Sequence, residues 1–192
     1  MDTNKTKVNR ELLNEILSNK EADISDVTRI YDQLEPISLD FMIGRWKGFE
    51  IKTGHSLDGL LVPSGWYGKF FKSPEEVHPL VFFAKNKTQL YAVNPKKVAM
   101  DAKVPKSLLG VLTSLAKPFT QTKKIGARLR MIEYREKATA TMAYDDKPIN
   151  DHFVKIDENT VLGLMDKKGD SPNFPYAFVL ERDNESNYQI KF

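Results

Sequence analysis

Apolar residues recur at helical spacing over the first forty positions. Val8, Leu12, Leu13, Ile16 and Leu17 form one face, and beyond a polar break at 20–23 so do Val27, Ile30, Tyr31 and Leu34. Ser25 is the expected N-cap of the second helix. Pro36, which cannot continue a helix, is its expected stop. Two amphipathic helices of this kind need an apolar surface to lie on.

From Gly44 onward the pattern changes to short strands separated by turn residues. Strands are predicted over 45–52, 66–71, 80–84 and 89–93, with Asn94-Pro95 closing the last of them. A helix interrupts over 105–117. Pro105 suits its first turn, Leu108, Val111, Leu112 and Leu115 share one face, and Pro118 marks its end. Strands then resume over 128–135, 139–144, 149–156, 160–165 and 176–182. Polar turns at 135–137, 145–148 and 157–159 leave room for hairpins but not for helical crossovers.

A sheet of about nine strands either closes into a barrel or splits into a sandwich. Along 138–144 the side chains are small or hydroxylated: Thr139, Thr141 and Ala143 alternate with Ala138, Ala140, Met142 and Tyr144. Phe153 is in phase with Ile149, Asp151 and Lys155, and His152 with Asn150, Val154 and Ile156. Small side chains on a covered face leave space, and barrels of about eight strands hold one small ligand in such space. The expected architecture is mainly β (α+β overall): an antiparallel, up-and-down, lipocalin-like closed barrel with N-terminal helices and one helical insert. Residues 1–43 would pack on the barrel as a helical segment. Residues 44–192 would form one barrel domain, made of 44–95, an insert at 96–126 and a C-terminal meander at 127–192. The stretches 53–65 and 95–126 are long enough to cover an opening.

Composition narrows the function classes. The chain has 192 residues, 41% hydrophobic and 29% charged, ordinary values for a folded protein. It has no cysteine, which excludes disulfides, thiolate nucleophiles and cysteine zinc sites, and fits a reducing, cytoplasmic location. The first ten residues are polar and predict no secretory leader. The longest apolar run, 107–116, falls far short of the roughly 20 residues that span a bilayer, so no membrane insertion is expected. The net charge of +3 comes from 29 bases against 26 acids. Lys123, Lys124, Arg128 and Arg130 are the nearest approach to a basic stripe, too little to predict a nucleic-acid partner.

The most specific motif is Gly44-Arg45-Trp46-Lys47-Gly48, where glycines beside a strand tryptophan permit a bend and close backbone approach. Trp46, with Gly44 and Gly48, is expected to plug one end of the barrel. Further blocks follow at Gly65-Trp66-Tyr67-Gly68-Lys69, Val77-His78-Pro79-Leu80 and Tyr91-Ala92-Val93-Asn94-Pro95. With these blocks, residues 44–95 resemble the bacterial GXWXG protein family. Residues 129–180, through Arg130-Met131-Ile132-Glu133-Tyr134-Arg135, Pro148-Ile149-Asn150-Asp151-His152-Phe153 and Thr160-Val161-Leu162-Gly163-Leu164-Met165-Asp166, resemble the domain of unknown function that usually follows it. That resemblance implies no activity. The N-terminal helices and the insert match no motif. A remoter likeness joins the Gly-x-Trp start to lipocalins, fatty-acid-binding proteins and nitrobindin-type haem barrels. Phe49-Glu50 after Gly48 breaks the extended glycine pattern of the haem proteins.

Candidate chemistry is sparse. His55, His78 and His152 are scattered, with no metal-ligand spacing, so no metal is expected. Neither a nucleophile elbow nor a phosphate-cradling glycine loop is present, and no catalytic residue is predicted. Arg128 and Arg130 share a strand face with Tyr134. If that face pointed inward, the pair would hold a carboxylate bidentately. The expected function is therefore a binding protein that holds a small hydrophobic or amphipathic ligand, carboxylate-bearing ones included, inside the barrel. Its predicted ligand-binding residues are Arg128, Arg130, Tyr134, Met142, Tyr144, His152 and Trp66. The alternative is a haem-binding or enzymatic barrel using His152 with Asp151 or Tyr144; otherwise no cofactor is expected. A third reading is an interaction module that presents the insert or the N-terminal helices.

Overall fold

The computed structural model describes residues 3–98 and 105–191. The side chain of Val8 and residues 99–104 of the insert lie outside the described set. The chain opens with α1 (Thr3–Asn19) and α2 (Ile24–Gln33). Asp23, not Ser25, occupies the N-cap of α2, and Ser25 lies inside the first turn. The break before it is pinned elsewhere: Ala22 N–H donates to Lys52 O at 3.0 Å and Lys52 N–H to Lys20 O at 2.9 Å. This fixes where α2 starts without a side-chain cap.

The strands follow as β1 (Glu35–Pro36), β2 (Gly44–Ile51), β3 (Trp66–Ser73), β4 (Glu76–Phe83) and β5 (Gln89–Ala92). After the insert helix α3 (Leu109–Thr120) come β6 (Ala127–Tyr134), β7 (Lys137–Tyr144), β8 (Ile149–Asp157), β9 (Thr160–Lys167), β10 (Tyr176–Arg182) and β11 (Gln189–Lys191). The fold is mainly β, with an 11-stranded sheet and three helices. From β2 to β4 and from β6 to β10, successive strands pair antiparallel, β10 returns to β2, and β4 meets β6. Eight strands thus form a ring in chain order. The β4–β6 seam is thin. One register pair, Val77 with Ala127, joins it, helped by Gly126 N–H to Val77 O at 3.2 Å and Leu129 N–H to Pro74 O at 2.7 Å.

The sheet is mixed, where a purely antiparallel one was expected. β5 pairs with the second half of β4 and carries β11 in parallel on its other edge. β1, two residues long, pairs with the end of β8. The strand expected at 80–84 begins at Glu76, because Pro79 falls at a register irregularity between the pairs Gly68–Val81 and Phe70–His78. A missing N–H is tolerated at such a position. α3 likewise runs past Pro118 to Thr120, whose hydroxyl donates to Ala116 O at 3.0 Å.

Strand alternation separates two cores. The inner face of the ring gathers Trp46, Phe71, Leu129, Met142, Phe153 and Phe178. On the outer face, Ile51, Val154, Leu162, Leu164 and Val179 meet Ile16, Val27, Ile30 and Tyr31 of the two helices. At about 1.5–3 kcal/mol for each fully buried aliphatic side chain, this contact holds the helices down.

Candidate functional site

Inside the ring, toward the 53–65 loop and α3, lies a cavity of about 390 Å³. Leu57, Leu60, Leu80, Phe82, Met165 and Phe178 make its wall largely apolar. Leu109, Thr113 and Ala116 bring α3 over it. The loop is held in shape by Asp58, whose Oδ2 accepts the backbone N–H groups of Thr53, Gly54 and His55 at 2.8, 2.7 and 2.9 Å. Glu50 ties loop to ring: its Oε2 accepts from Gly59 N–H at 3.0 Å and from the Tyr176 hydroxyl at 2.7 Å.

Trp66 reaches the cavity because position 48 lacks a side chain. A Cβ there would stand 2.2 Å from the indole ring. Gly163 makes the same provision for Phe178, whose ring would lie 2.5 Å from a Cβ. The two rings meet edge to face at 6.4 Å.

Among the charged side chains lining this apolar space are a buried pair, Lys69 and Asp151, and, at the α3 side, Lys97, whose ammonium donates to Phe119 O at 2.6 Å. Lys69 Nζ lies 2.8 Å from Asp151 Oδ2, with both side chains almost fully buried. The ammonium also donates to Pro79 O at 3.4 Å, and the rings of Phe178, Trp66 and Tyr144 stand 5.0, 5.8 and 5.8 Å from it. Two polar atoms here lack a protein partner, Asp151 Oδ1 and Trp66 Nε1. Burial raises the Asp151 carboxyl above its ordinary range, and the Lys69 charge opposes that rise. Burial, and secondarily Asp151, raises the Tyr144 phenol as well. A buried acceptor and a buried donor, both unsatisfied, are costly unless something else pairs with them.

The residues singled out from sequence divide by strand parity. Trp66 and Tyr144 line the cavity. Met142 points into the ring but is packed into the core. Arg128, Arg130 and Tyr134 alternate with the inward Ala127 and Leu129, so they face out. Arg128 pairs with Asp145 at 2.7 Å and Arg130 with Glu75 at 2.9 Å, leaving no carboxylate clamp in the cavity. His152 is one residue out of phase with Asp151. Its ring is buried on the outer side, stacked on Tyr134 at 3.9 Å, with Nδ1 2.9 Å from the Thr141 hydroxyl. Trp46 is fully buried, donates from Nε1 to Met42 O at 2.8 Å and carries the Arg182 guanidinium over its ring at 4.3 Å. It sits away from the cavity lining. Gly44 abuts Asn184, where a Cβ would meet the side-chain amide at 2.6 Å.

Sequence reasoning missed Lys69. Two-residue alternation cannot put Trp66 and Lys69 on one face, but a bulge between the pairs Trp66–Phe82 and Gly68–Val81 does. Gly68, at φ +150° with its Cα against Trp46 O, is the signal that marks it. Asp151 was named only as a partner for His152, from which the sheet separates it; its phase with Ile149 and Phe153 is the signal that places it inside.

Among the described residues no helix is long and apolar enough to cross a membrane, and no group of three His, Asp or Glu side chains is placed to hold a metal ion. No curated protein matches the chain. A crystal structure of a protein from Thermomonospora curvata is similar, with a TM-score of 0.69 and 28% identity over 91% of this chain and 98% of that one. Residues 29–87 match the model of the GXWXG protein, and residues 125–182 match that of the domain of unknown function DUF4334. The chain carries both regions, the GXWXG region supplying Trp66 and Lys69 and the DUF4334 region Tyr144 and Asp151.

Proposed function

We propose that this is a binding protein that encloses a small, largely apolar molecule bearing one neutral polar group, held in the lumen of a lipocalin-like closed barrel. The observation that carries the reading is the apolar cavity with one buried, charge-balanced pair in its wall and two unpartnered polar atoms beside that pair. Its volume falls in the range of roughly 300–1,000 Å³ typical of small-ligand sites. Lys69 is already neutralised by Asp151, so a ligand carboxylate placed beside that pair would meet an anion at no net gain, and the other lining cation, Lys97, turns its ammonium to Phe119 O. A hydroxyl can both donate to Asp151 Oδ1 and accept from Trp66 Nε1. Trp46 and the 40–42 turn would close the far end of the barrel. A cytoplasmic setting fits a chain without cysteine. Haem held through His152 does not fit, because that ring lies across the sheet from the cavity, under Tyr134.

The test is displacement of an environment-sensitive apolar probe by an alcohol and a carboxylic acid of equal chain length. The alcohol is expected to bind about ten-fold tighter or more, as suits a site whose buried polar groups would be left unpaired or opposed by the acid. Lys69→Met/Asp151→Leu, which keeps the interior neutral, should abolish that preference. Arg130→Ala should leave binding unchanged, since Arg130 faces out of the ring, paired with Glu75, and neither lines the cavity. Absence of probe binding, or acid binding that depends on Arg130, would overturn the reading.

A further inference from the structure

The outer face of α3 and the adjoining loop hold most of the exposed large apolar side chains of the described protein. Of seven, Val62, Leu108, Val111, Leu112, Leu115 and Phe119 are here, leaving only Met131 elsewhere. Leu115 is 67% and Phe119 74% exposed. The helix is apolar on both sides: Leu109, Thr113 and Ala116 line the cavity, Leu112 stands at the edge between cavity and solvent, and Leu108, Val111, Leu115 and Phe119 meet solvent. No residue of α3 is buried. A helix that is hydrophobic all round normally has a covering on each side, and this one has only the cavity side.

The charged residues within and next to the stripe are basic. Between residues 105 and 132 there is no acidic residue; Arg128 and Arg130 are paired with Asp145 and Glu75 from other segments, which leaves Lys106, Lys117, Lys123 and Lys124 as the stripe's own charges. Lys97 lies close by, its ammonium donating to Phe119 O at 2.6 Å. A second copy of the chain docked through the same patch would set the stripe's lysines against their own counterparts. An anionic bilayer supplies both needs at once, hydrocarbon for the stripe and negative headgroups for its rim.

We propose that the α3 face is a peripheral docking surface for an anionic phospholipid membrane. Docked in this way, α3 stands between the bilayer and the cavity, so an apolar ligand passes from one to the other without crossing water. That use rests on the binding reading above; the docking does not.

The experiment is flotation of the ligand-free protein with vesicles of phosphatidylcholine alone or mixed equally with phosphatidylglycerol, in low and high salt. Wild type should float with the mixed vesicles, less so in high salt, and not with phosphatidylcholine. Leu115→Glu/Phe119→Glu, at two exposed positions where folding is not at stake, should lose at least about ten-fold in vesicle binding. Lys123→Glu/Lys124→Glu should weaken binding and flatten its salt dependence. Uptake of the apolar probe from solution, measured without vesicles, should be unchanged in both variants, which separates failure of docking from failure of the binding reading. Wild type that stays with the soluble fraction, or a Leu115→Glu/Phe119→Glu variant that floats equally well, overturns the proposal. So does a wild-type dimer that this variant dissociates, since the face would then belong to another copy.

Discussion

The ring of His152 is nearly inaccessible to solvent, flat against Tyr134 and bonded through Nδ1 to Thr141, and burial lowers its pKa to about 4. His78, also buried, is lowered to about 4, by desolvation first and Lys72 second. The sign follows from linkage: above pH 6.5 a histidine is neutral in both folded and unfolded chains and contributes nothing. As pH falls from about 6.5 to 4, the unfolded chain takes up a proton that the folded one refuses, and stability is lost. His152→Gln removes one such group. Urea denaturation across that window should give a slope of stability against pH lower than wild type by up to about 1.4 kcal/mol per pH unit. Parallel curves for the two proteins would mean the ring is free to ionise in place. Parity decides such roles residue by residue. Asp151 and His152 are adjacent in sequence and on opposite sides of the sheet, and only the first has access to the cavity. The pattern in 149–156 contained that information. The Arg128/Arg130 clamp rested on the opposite choice of face, and Ala127 and Leu129, as the more apolar set, take the inside.

Of the three helices, α3 is held least. It has no buried side chain, its amides sit between a cavity and solvent, and Lys117 reaches Tyr91 across a 4.7 Å cation–π contact as one of its few ties. Native-state hydrogen exchange should therefore show α3 amides exchanging at least about a hundred-fold faster than those of β8 and β9, which pair along eight registers in the middle of the ring. Adding a cavity ligand should slow α3 selectively. Uniform protection across α3 and β8–β9 would contradict a loosely seated cover. The helices and the long strands were legible because each carries a full period of apolar residues. Val27, Ile30 and Tyr31 are buried as their spacing required. β1 and β11 were not, since two and three residues carry no period and pairing alone makes them strands. Lys69 was hidden by a bulge, a device that changes which face a side chain takes without changing composition.

At the scale of the molecule, enclosure depends on the thin β4–β6 seam. Seven of the ring's junctions are ladders of several pairs, and this one is a single pair, Val77 with Ala127, next to the branch where β5 and β11 leave the ring. The seam also lies at the boundary between the stretches matching GXWXG and DUF4334, so neither region can close the ring alone. A chain without cysteine makes the point directly measurable. In Val77→Cys/Ala127→Cys the two sulfurs face each other across the pair, and oxidation should give an intramolecular link in monomeric protein. Closing that loop should stabilise by up to about 4 kcal/mol in the chain-entropy account, or roughly ten degrees in Tm for a chain of this size. Comparing oxidised with reduced protein of the same variant cancels the packing cost of the substitutions. Ligand exchange should survive the link if α3 is the way in, because α3 covers the cavity independently of this pair. Thiols that stay reduced under oxidant, and titrate freely in the folded protein, would show a ring that stands open at this seam.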